Sequence, residues 1–430
     1  MKKFVLALTF FVLAIVTSQA TDKPNIVIFL ADDLGWADVG WHGTEIKTPN
    51  LDKLADSGLK LEQFYVQQVC WPTRAALMTG RHPYLRYNMS GGPPTNERTL
   101  AQALREAGYY TAITGKWHLG QVPEKVPLQR GFDYHYGFYG GTLDYYEHAH
   151  QGKLDWQRNG QPVHEEGYST DLLAEDAVRI VKNHDTSKPL FLYVPFNAVH
   201  APYLPPPDKE LYEQYPNLTR TRKIYAGMVA SMDNAIGKIV KALEEKGIKD
   251  NTLIFFASDN GGPHPKAITD NGPLRGEKMS LYEGGIRVPA FVVWKGKIKA
   301  GTVSQQLTHM VDLYPTLVGI AGGSLEQQLP LDGVDLKDVF LADKPLERKE
   351  LVLYVRRSGG ALRLGDWKII DFTGITNGGM IGKHEGAAKP ELFNLKDDPY
   401  EKNNLAESHP EKFKELHDRL DFYTKQAAAR

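Results

Sequence analysis

Two pairs of oxygen-bearing residues, Asp32-Asp33 and Asp259-Asn260, each follow a run of apolar residues directly and offer a cation only oxygen. That donor set suits a hard ion, calcium before magnesium, rather than zinc, whose sites are built mostly from nitrogen and sulfur. Adjacent carboxylates at a strand end repel unless positive charge relieves them. Lys116, His118 and His200 add cationic and proton-carrying groups. The remaining reactive residue is Cys70, the one cysteine in 430 residues, within QQVCWPTRAALMTGR (67–81). Pro72 fits the first turn of a helix, where its missing N–H costs nothing. Cys70 is therefore expected at a helix N-terminus with Arg74 close by. Such ends attract anions and lower a thiol pKa. Two other readings stand beside this one. A buried inert thiol is common, and an ordinary nucleophilic thiolate needs a partner histidine and is a poor calcium ligand.

The elements that must position these residues follow from hydrophobic pattern. Asn25 to Ala31, Pro189 to Phe196 and Thr252 to Ser258 are continuous apolar runs, as expected of strands buried on both faces. Tyr110 to Thr114 and Arg287 to Trp294 read as further strands. Helices are expected from Pro49 to Gly58, Thr99 to Gly108, Thr170 to His184, Arg220 to Lys246 and His309 to Ala321. Alternating strands and helices predict an α/β fold, a large mostly parallel central sheet flanked by helices. Ligands in such sheets bind beyond the carboxyl ends of the strands, where Asp32, Asp33, Lys116, His118, His200, Asp259 and Asn260 all fall.

Hydrophobic content of 42%, charged content of 24% and a net charge of −1 describe a globular chain with no global basic field for nucleic acid or an anionic membrane. Residues 1–20 have a basic start, an apolar stretch and a small-residue site at Ala20, and read as a cleaved signal peptide with no cysteine following as a lipid anchor. No stable membrane anchor is expected; an exported protein, periplasmic or extracellular, is. In an oxidising compartment one cysteine has no disulfide partner in its own chain. The expected division is a catalytic domain over 21–325 and a smaller subdomain over 326–430, a short antiparallel sheet plus a terminal helix near Pro410 to Ala427. Loops 202–207 and 373–388, rich in Pro or Gly, are expected to shape a surface.

CWPTR matches C-x-P-x-R, and with it the chain resembles the type I sulfatases of the alkaline phosphatase superfamily, nearest to arylsulfatase B-like members. NIVIFLADDLGWADVGWHG, GKWHLG, DNGG and PLRGEKMSLYEGGIRVP resemble the family's other motifs in order, from about Pro24 onward; GFYGGTLDYYEH is close to the arylsulfatase B-like branch. The resemblance implies an alkaline phosphatase-like fold and oxidation of Cys70 to formylglycine by a separate formylglycine-generating or anaerobic maturation enzyme. The hydrated aldehyde would join Asp32, Asp33, Asp259 and Asn260 on calcium, with Arg74 holding it and Lys116, His118, His200 and Lys278 around the sulfate. His200 would act as general acid and His118 as acceptor of the proton released when the aldehyde is regenerated. Trp71 departs from the small residue many members carry after the cysteine. Tyr145, His148, His264 and Arg275 are candidate substrate contacts, in a Tyr- and Gly-rich stretch or near the lysine. The implied substrate is a sulfated carbohydrate of galactose or N-acetylgalactosamine type, attacked at a chain end. A formylglycine-dependent phosphodiester or phosphonate hydrolase is the alternative enzyme, and a noncatalytic glycan-binding protein the alternative outside enzymes.

Overall fold

The computed structural model describes residues 23–87, 91–264, 267–372 and 389–429. The expected signal peptide and the loop 373–388 lie outside the described residues. A ten-stranded sheet forms the centre. In spatial order its strands start at residues 302, 59, 290, 252, 25, 190, 110, 134, 157 and 161. The five strands from 252 to 134 in that order run parallel, and the flanking pairings are mostly antiparallel.

Asn25–Ala31 lies in the middle, in register with Leu190–Pro195 on one side and Thr252–Ser258 on the other. Alternate residues of a strand face opposite sides of a sheet, and here both sides are covered. Val27, Phe29 and Ala31 pack under the helices Pro49–Asp56, Ser169–Asn183 and Arg220–Glu245. Ile26, Ile28 and Leu30 pack against Cys70–Thr79, Leu100–Glu106 and Leu313–Ile320. Burial on two faces is why these strands read as unbroken apolar runs. Thr99 and Gln102 close a capping box at the start of Leu100–Glu106, satisfying amides the first turn leaves free.

The strand expected over 287–294 is shorter, Ala290–Val293, and runs antiparallel to Thr252–Ser258. Tyr134–Phe138, part of the Tyr- and Gly-rich stretch, is a central-sheet strand. Beyond residue 325, Leu336, Val339 and Phe340 still pack into the main core. A separate four-stranded antiparallel sheet follows, formed by Glu350–Arg356, Gly359–Leu364, Trp367–Phe372 and Glu391–Asn394. Leu416 and Leu420 of the last helix, Pro410–Ala428, are buried against it. No helix among the described residues is long and apolar enough to cross a membrane.

Candidate active site

Four neighbouring strands deliver polar residues to one edge of the sheet. Asp32 and Asp33 follow Ala31, and Asp259 and Asn260 follow Ser258. Lys116 ends Tyr110–Lys116, with His118 two residues on, and His200 lies in the turn after Leu190–Pro195. Parallel pairing in register puts the first two pairs side by side: Asp33 N–H donates to Asp259 Oδ1 at 3.3 Å. Asp33 and His118 hold left-handed backbone conformations, φ 64° and 54°, which non-glycine residues adopt where surrounding contacts enforce them. Cys70 opens its helix as its first residue. Across the site, Met279 N–H donates to the Gln68 carbonyl at 2.7 Å, tying the Lys278 segment to the residues just before Cys70.

The side chains form one buried charge cluster. Arg74 donates twice to Asp259 Oδ2, from Nη2 at 2.6 Å and Nε at 3.0 Å, and Nη1 reaches the Lys116 carbonyl at 3.2 Å. Lys116 Nζ lies 2.5 Å from Asp32 Oδ2. Lys278 Nζ lies 2.6 Å from Asp33 Oδ1 and 2.8 Å from Oδ2. His200 Nε2 is 3.5 Å from Asp33 Oδ2, and its Nδ1 is 2.7 Å from the Ala201 carbonyl. His118 Nδ1 is 3.3 Å from Cys70 Sγ. Ligand atoms of Asp32, Cys70 and Asp259, and separately of Asp32, Asp33 and His200, lie within 4.8 Å of one another.

Burial opposes charge on Asp32, but Lys116, then His200, Arg74 and Lys278, outweigh it and hold that carboxyl well below its usual range. Asp259 goes the other way: burial and the charge of Asp32 push it up despite Arg74. His118 is held neutral by burial and by the cations Lys116 and Arg74. Burial also pushes the Cys70 thiol up, against the pull of Lys116 and Lys278. The lowered thiol pKa expected from the helix N-terminus is therefore not found, because desolvation of the thiolate exceeds the attraction of the cations. Asp32 Oδ1 and Asn260 Oδ1 are buried and accept no hydrogen bond. Buried acceptors without partners are costly, and two of them beside clustered carboxylates fit an oxygen-coordinated divalent cation.

Of the four candidate substrate contacts, two are interior. Tyr145 is fully buried and stacked on Tyr168 at 5.1 Å; its hydroxyl lies 2.8 Å from the Asn197 carbonyl and 2.9 Å from that of His200. It supports the His200 turn and has no face for a sugar. His148 is buried, stacked on Trp156 at 4.6 Å, with Nε2 bonded to the Gly167 carbonyl. Arg275 covers the Tyr282 ring at 3.8 Å and donates to the Glu401 carbonyl, so it joins the subdomain to the Lys278 segment. His264 is exposed, its backbone N–H bonded to Glu277. One contributor was missed at the level of sequence. A Cβ at Gly141 would stand 2.6 Å from His118 Nε2, so any larger residue there would have to displace that imidazole. Its signal was the Gly140-Gly141 pair inside an aromatic stretch.

Comparison with known proteins gives concordant matches. Residues 24–323 match the family model described as Sulfatase. Arylsulfatase J of Mus musculus is 35% identical over an alignment covering 95% of this chain and 77% of its own. N-acetylgalactosamine-6-sulfatase of Canis lupus familiaris is 33% identical, covering 90% and 82%. The crystal structure of Ps i-CgsB in complex with k-i-k-neocarrahexaose superposes with a TM-score of 0.83 at 33% identity, over 94% of each chain.

Proposed function

The chain belongs to the sulfatase family and is a sulfuric ester hydrolase, and from that premise we propose that it is an exported enzyme removing sulfate monoesters from sugars, with residue 70 converted from cysteine to formylglycine. The observation that carries this reading is the setting of residue 70. A thiol of raised pKa stands among carboxylates, two buried unpaired acceptors and two lysines. A thiol is the mismatched donor in that company; an oxygen at the same position fits the cation and the neighbouring histidine alike.

Asp32, Asp33, Asp259 and Asn260 would hold a divalent cation, calcium by the chemistry of the donor set. When bound, calcium supplies positive charge against the sulfate oxygens, and hydrated formylglycine supplies an oxygen nucleophile. The chain's own residues do the rest. Arg74, clamped by Asp259, fixes the first helical turn and so the position of residue 70. Lys116 and Lys278 bring cationic charge to a substrate whose negative oxygens resist attack. His118, neutral and beside residue 70, takes a proton at Nδ1. His200 turns Nε2 toward the cluster, with Nδ1–H given to the Ala201 carbonyl, and delivers a proton to the departing sugar oxygen, with Lys278 nearby.

The relatives named for N-acetylgalactosamine, and the neighbour bound to a neocarrahexaose, support a galactose-type sugar as substrate. A recessed site at the strand ends favours a chain end over the middle of a polymer. The partner implied for maturation is a formylglycine-generating or anaerobic maturation enzyme. The test is release of free sulfate from a panel of sulfated oligosaccharides by protein matured in the presence of such an enzyme, with Cys70→Ala as control. Release from one terminal sugar class, absent in the control, is expected. No release from any sugar, with formylglycine shown by peptide mass, would overturn the carbohydrate reading and turn attention to phosphodiesters and aryl sulfates.

A further inference from the structure

A ladder of rings leads away from residue 70 toward the C-terminal sheet. Trp71, the neighbour of Cys70 on the same helical turn, meets Tyr84 edge-on, with ring centroids 5.4 Å apart at 68°. Tyr84 packs on Tyr354 at 4.8 Å. The guanidinium of Arg356 lies over the Tyr84 ring at 4.3 Å and stands 5.7 Å from that of Tyr354. Trp71, Tyr84 and Arg356 are all half-buried. Two ring contacts thus separate a fixed positive charge from the side chain next to the reactive position. Arg356 also reaches the Tyr84 hydroxyl as a hydrogen-bond donor.

Arg356 differs from the arginines that hold this region together, and from its exposed neighbour Arg357 in being half-buried on a ring. Arg74 is held by Asp259, Arg86 by Asp332, Arg348 by Asp312 and Arg363 by the Tyr65 hydroxyl. Among the described residues, no ion pair involves Arg356. Its backbone ends the strand Glu350–Arg356 and pairs with Gly359 across the hairpin. Stacking on an aromatic face orients a guanidinium, and the edge donors beyond the one that reaches the Tyr84 hydroxyl match the oxygens of a sulfate or carboxylate in pairs.

We propose that Arg356, stacked on Tyr84 beside Trp71, is an anion subsite that binds a second negatively charged group of the saccharide whose sulfate ester lies at residue 70. The inference rests on the sugar reading above and narrows it: the preferred substrate carries at least two anionic groups. The second is a further sulfate ester or a uronate carboxylate, two sources of one oxyanion chemistry. Trp71 then has a role beside the reactive position: it braces the ring that carries the arginine.

The experiment compares matured wild type with Arg356→Met and Arg356→Lys, each checked for formylglycine content and melting temperature. Three probes are used: monosulfated N-acetylgalactosamine, the same sugar with two sulfates, and a monosulfated disaccharide bearing a hexuronate. The wild type is expected to favour one dianionic probe by about tenfold in kcat/KM, the worth of one charge-assisted contact. Arg356→Met is expected to lose that preference, chiefly through KM, and Arg356→Lys to keep part of it. Which dianionic probe is favoured tells sulfate from carboxylate. Equal losses on all three probes, or no preference in the wild type, would overturn the subsite. If no sugar is turned over while 4-nitrophenyl sulfate is, the sugar reading fails separately. The subsite is then decided by inhibition of the aryl sulfate reaction with the disulfated sugar: relief by Arg356→Met upholds it, and equal inhibition of both proteins overturns it.

Discussion

Two of the buried charge clusters among the described residues are finished differently. At the strand ends Asp32, Asp33 and Asp259 meet Lys116, Lys278 and Arg74, yet Asp32 Oδ1 and Asn260 Oδ1 are left without partners. The second cluster lies where the C-terminal sheet meets the segment after Lys278. Lys368 Nζ stands 2.9 Å from Glu283 Oε1 and 2.7 Å from Glu401 Oε1. Glu283 N–H donates to Glu401 Oε2 at 2.7 Å, and the Tyr65 hydroxyl donates to Glu283 Oε2 at 2.7 Å, itself bonded by Arg363. Each carboxylate oxygen of this cluster has a cation, hydroxyl or N–H within 2.9 Å, Glu401 Oε1 meeting Lys368 as an ion pair without a hydrogen bond, whereas the first keeps acceptors with no partner at all. The second fastens the small sheet to the segment that carries Lys278, and Arg275 adds a bond to the Glu401 carbonyl. The difference separates charge kept for chemistry from charge kept for placement.

The largest effect should come from the open cluster. Cys70→Ala is expected to reduce sulfate release to the level of buffer while leaving the melting temperature near that of the wild type, since a half-filled ligand set contributes little to folding. Removal of divalent ions with a chelator should lower kcat by about a thousandfold, equivalent to several kcal/mol of charge stabilisation, and added calcium should restore it. Calcium should also raise the melting temperature, by linkage worth about 2.7 kcal/mol at a hundredfold excess over Kd, and Asp259→Ala should abolish that rise. A calcium response that survives Asp259→Ala would break the comparison. The closed cluster should behave oppositely. Lys368→Met takes from Glu401 its one ion-pair partner and leaves Glu283 only the more distant Arg287 at 3.7 Å, and should cost about 3–5 kcal/mol in denaturant unfolding, equally with and without calcium. Replacing all three residues together, by Lys368→Met, Glu283→Gln and Glu401→Gln, should recover most of that loss, because the uncompensated charge goes with them.

The two clusters were unequally legible. Asp32, Asp33, Asp259 and Asn260 stand out because each pair follows a seven-residue apolar strand, Asn25–Ala31 or Thr252–Ser258, and a parallel sheet dictates which end of those strands meets a ligand. The structure brings them together with Cys70, Arg74, Lys116, His118, His200 and Lys278. The second cluster carries no such sign: Lys368 and Glu283 are 85 positions apart, on elements whose docking no local pattern encodes. Tyr145 and His148 went the wrong way for a related reason, because an aromatic ring looks the same in sequence whether it packs inside or faces a sugar. Short strands on the outer side of the sheet, Leu59–Leu61 and Thr302–Ser304, were missed, being too brief to show an alternation.

A third buried titratable group sharpens the comparison with the smallest effect. His135, on the central-sheet strand Tyr134–Phe138, has neither charge partner nor ligand; both ring nitrogens are unbonded, and the ring stacks on Tyr139 at 5.1 Å. Burial alone lowers its pKa to about 3. The folded protein therefore keeps the ring neutral where the unfolded chain, with a histidine pKa of about 6.5, takes up a proton. Stability from this source is complete above that value and is lost as pH falls from there toward 3, at up to about 1.4 kcal/mol per pH unit. At pH 5.5 the loss should be about 1 kcal/mol, and His135→Phe should flatten this part of the pH dependence of the unfolding free energy. The two charged clusters are untouched by that substitution, so the difference between wild type and variant isolates the histidine. An identical slope in both proteins would mean that the folded protein accommodates the protonated ring as readily as water does, and that the acid sensitivity in this range has another source.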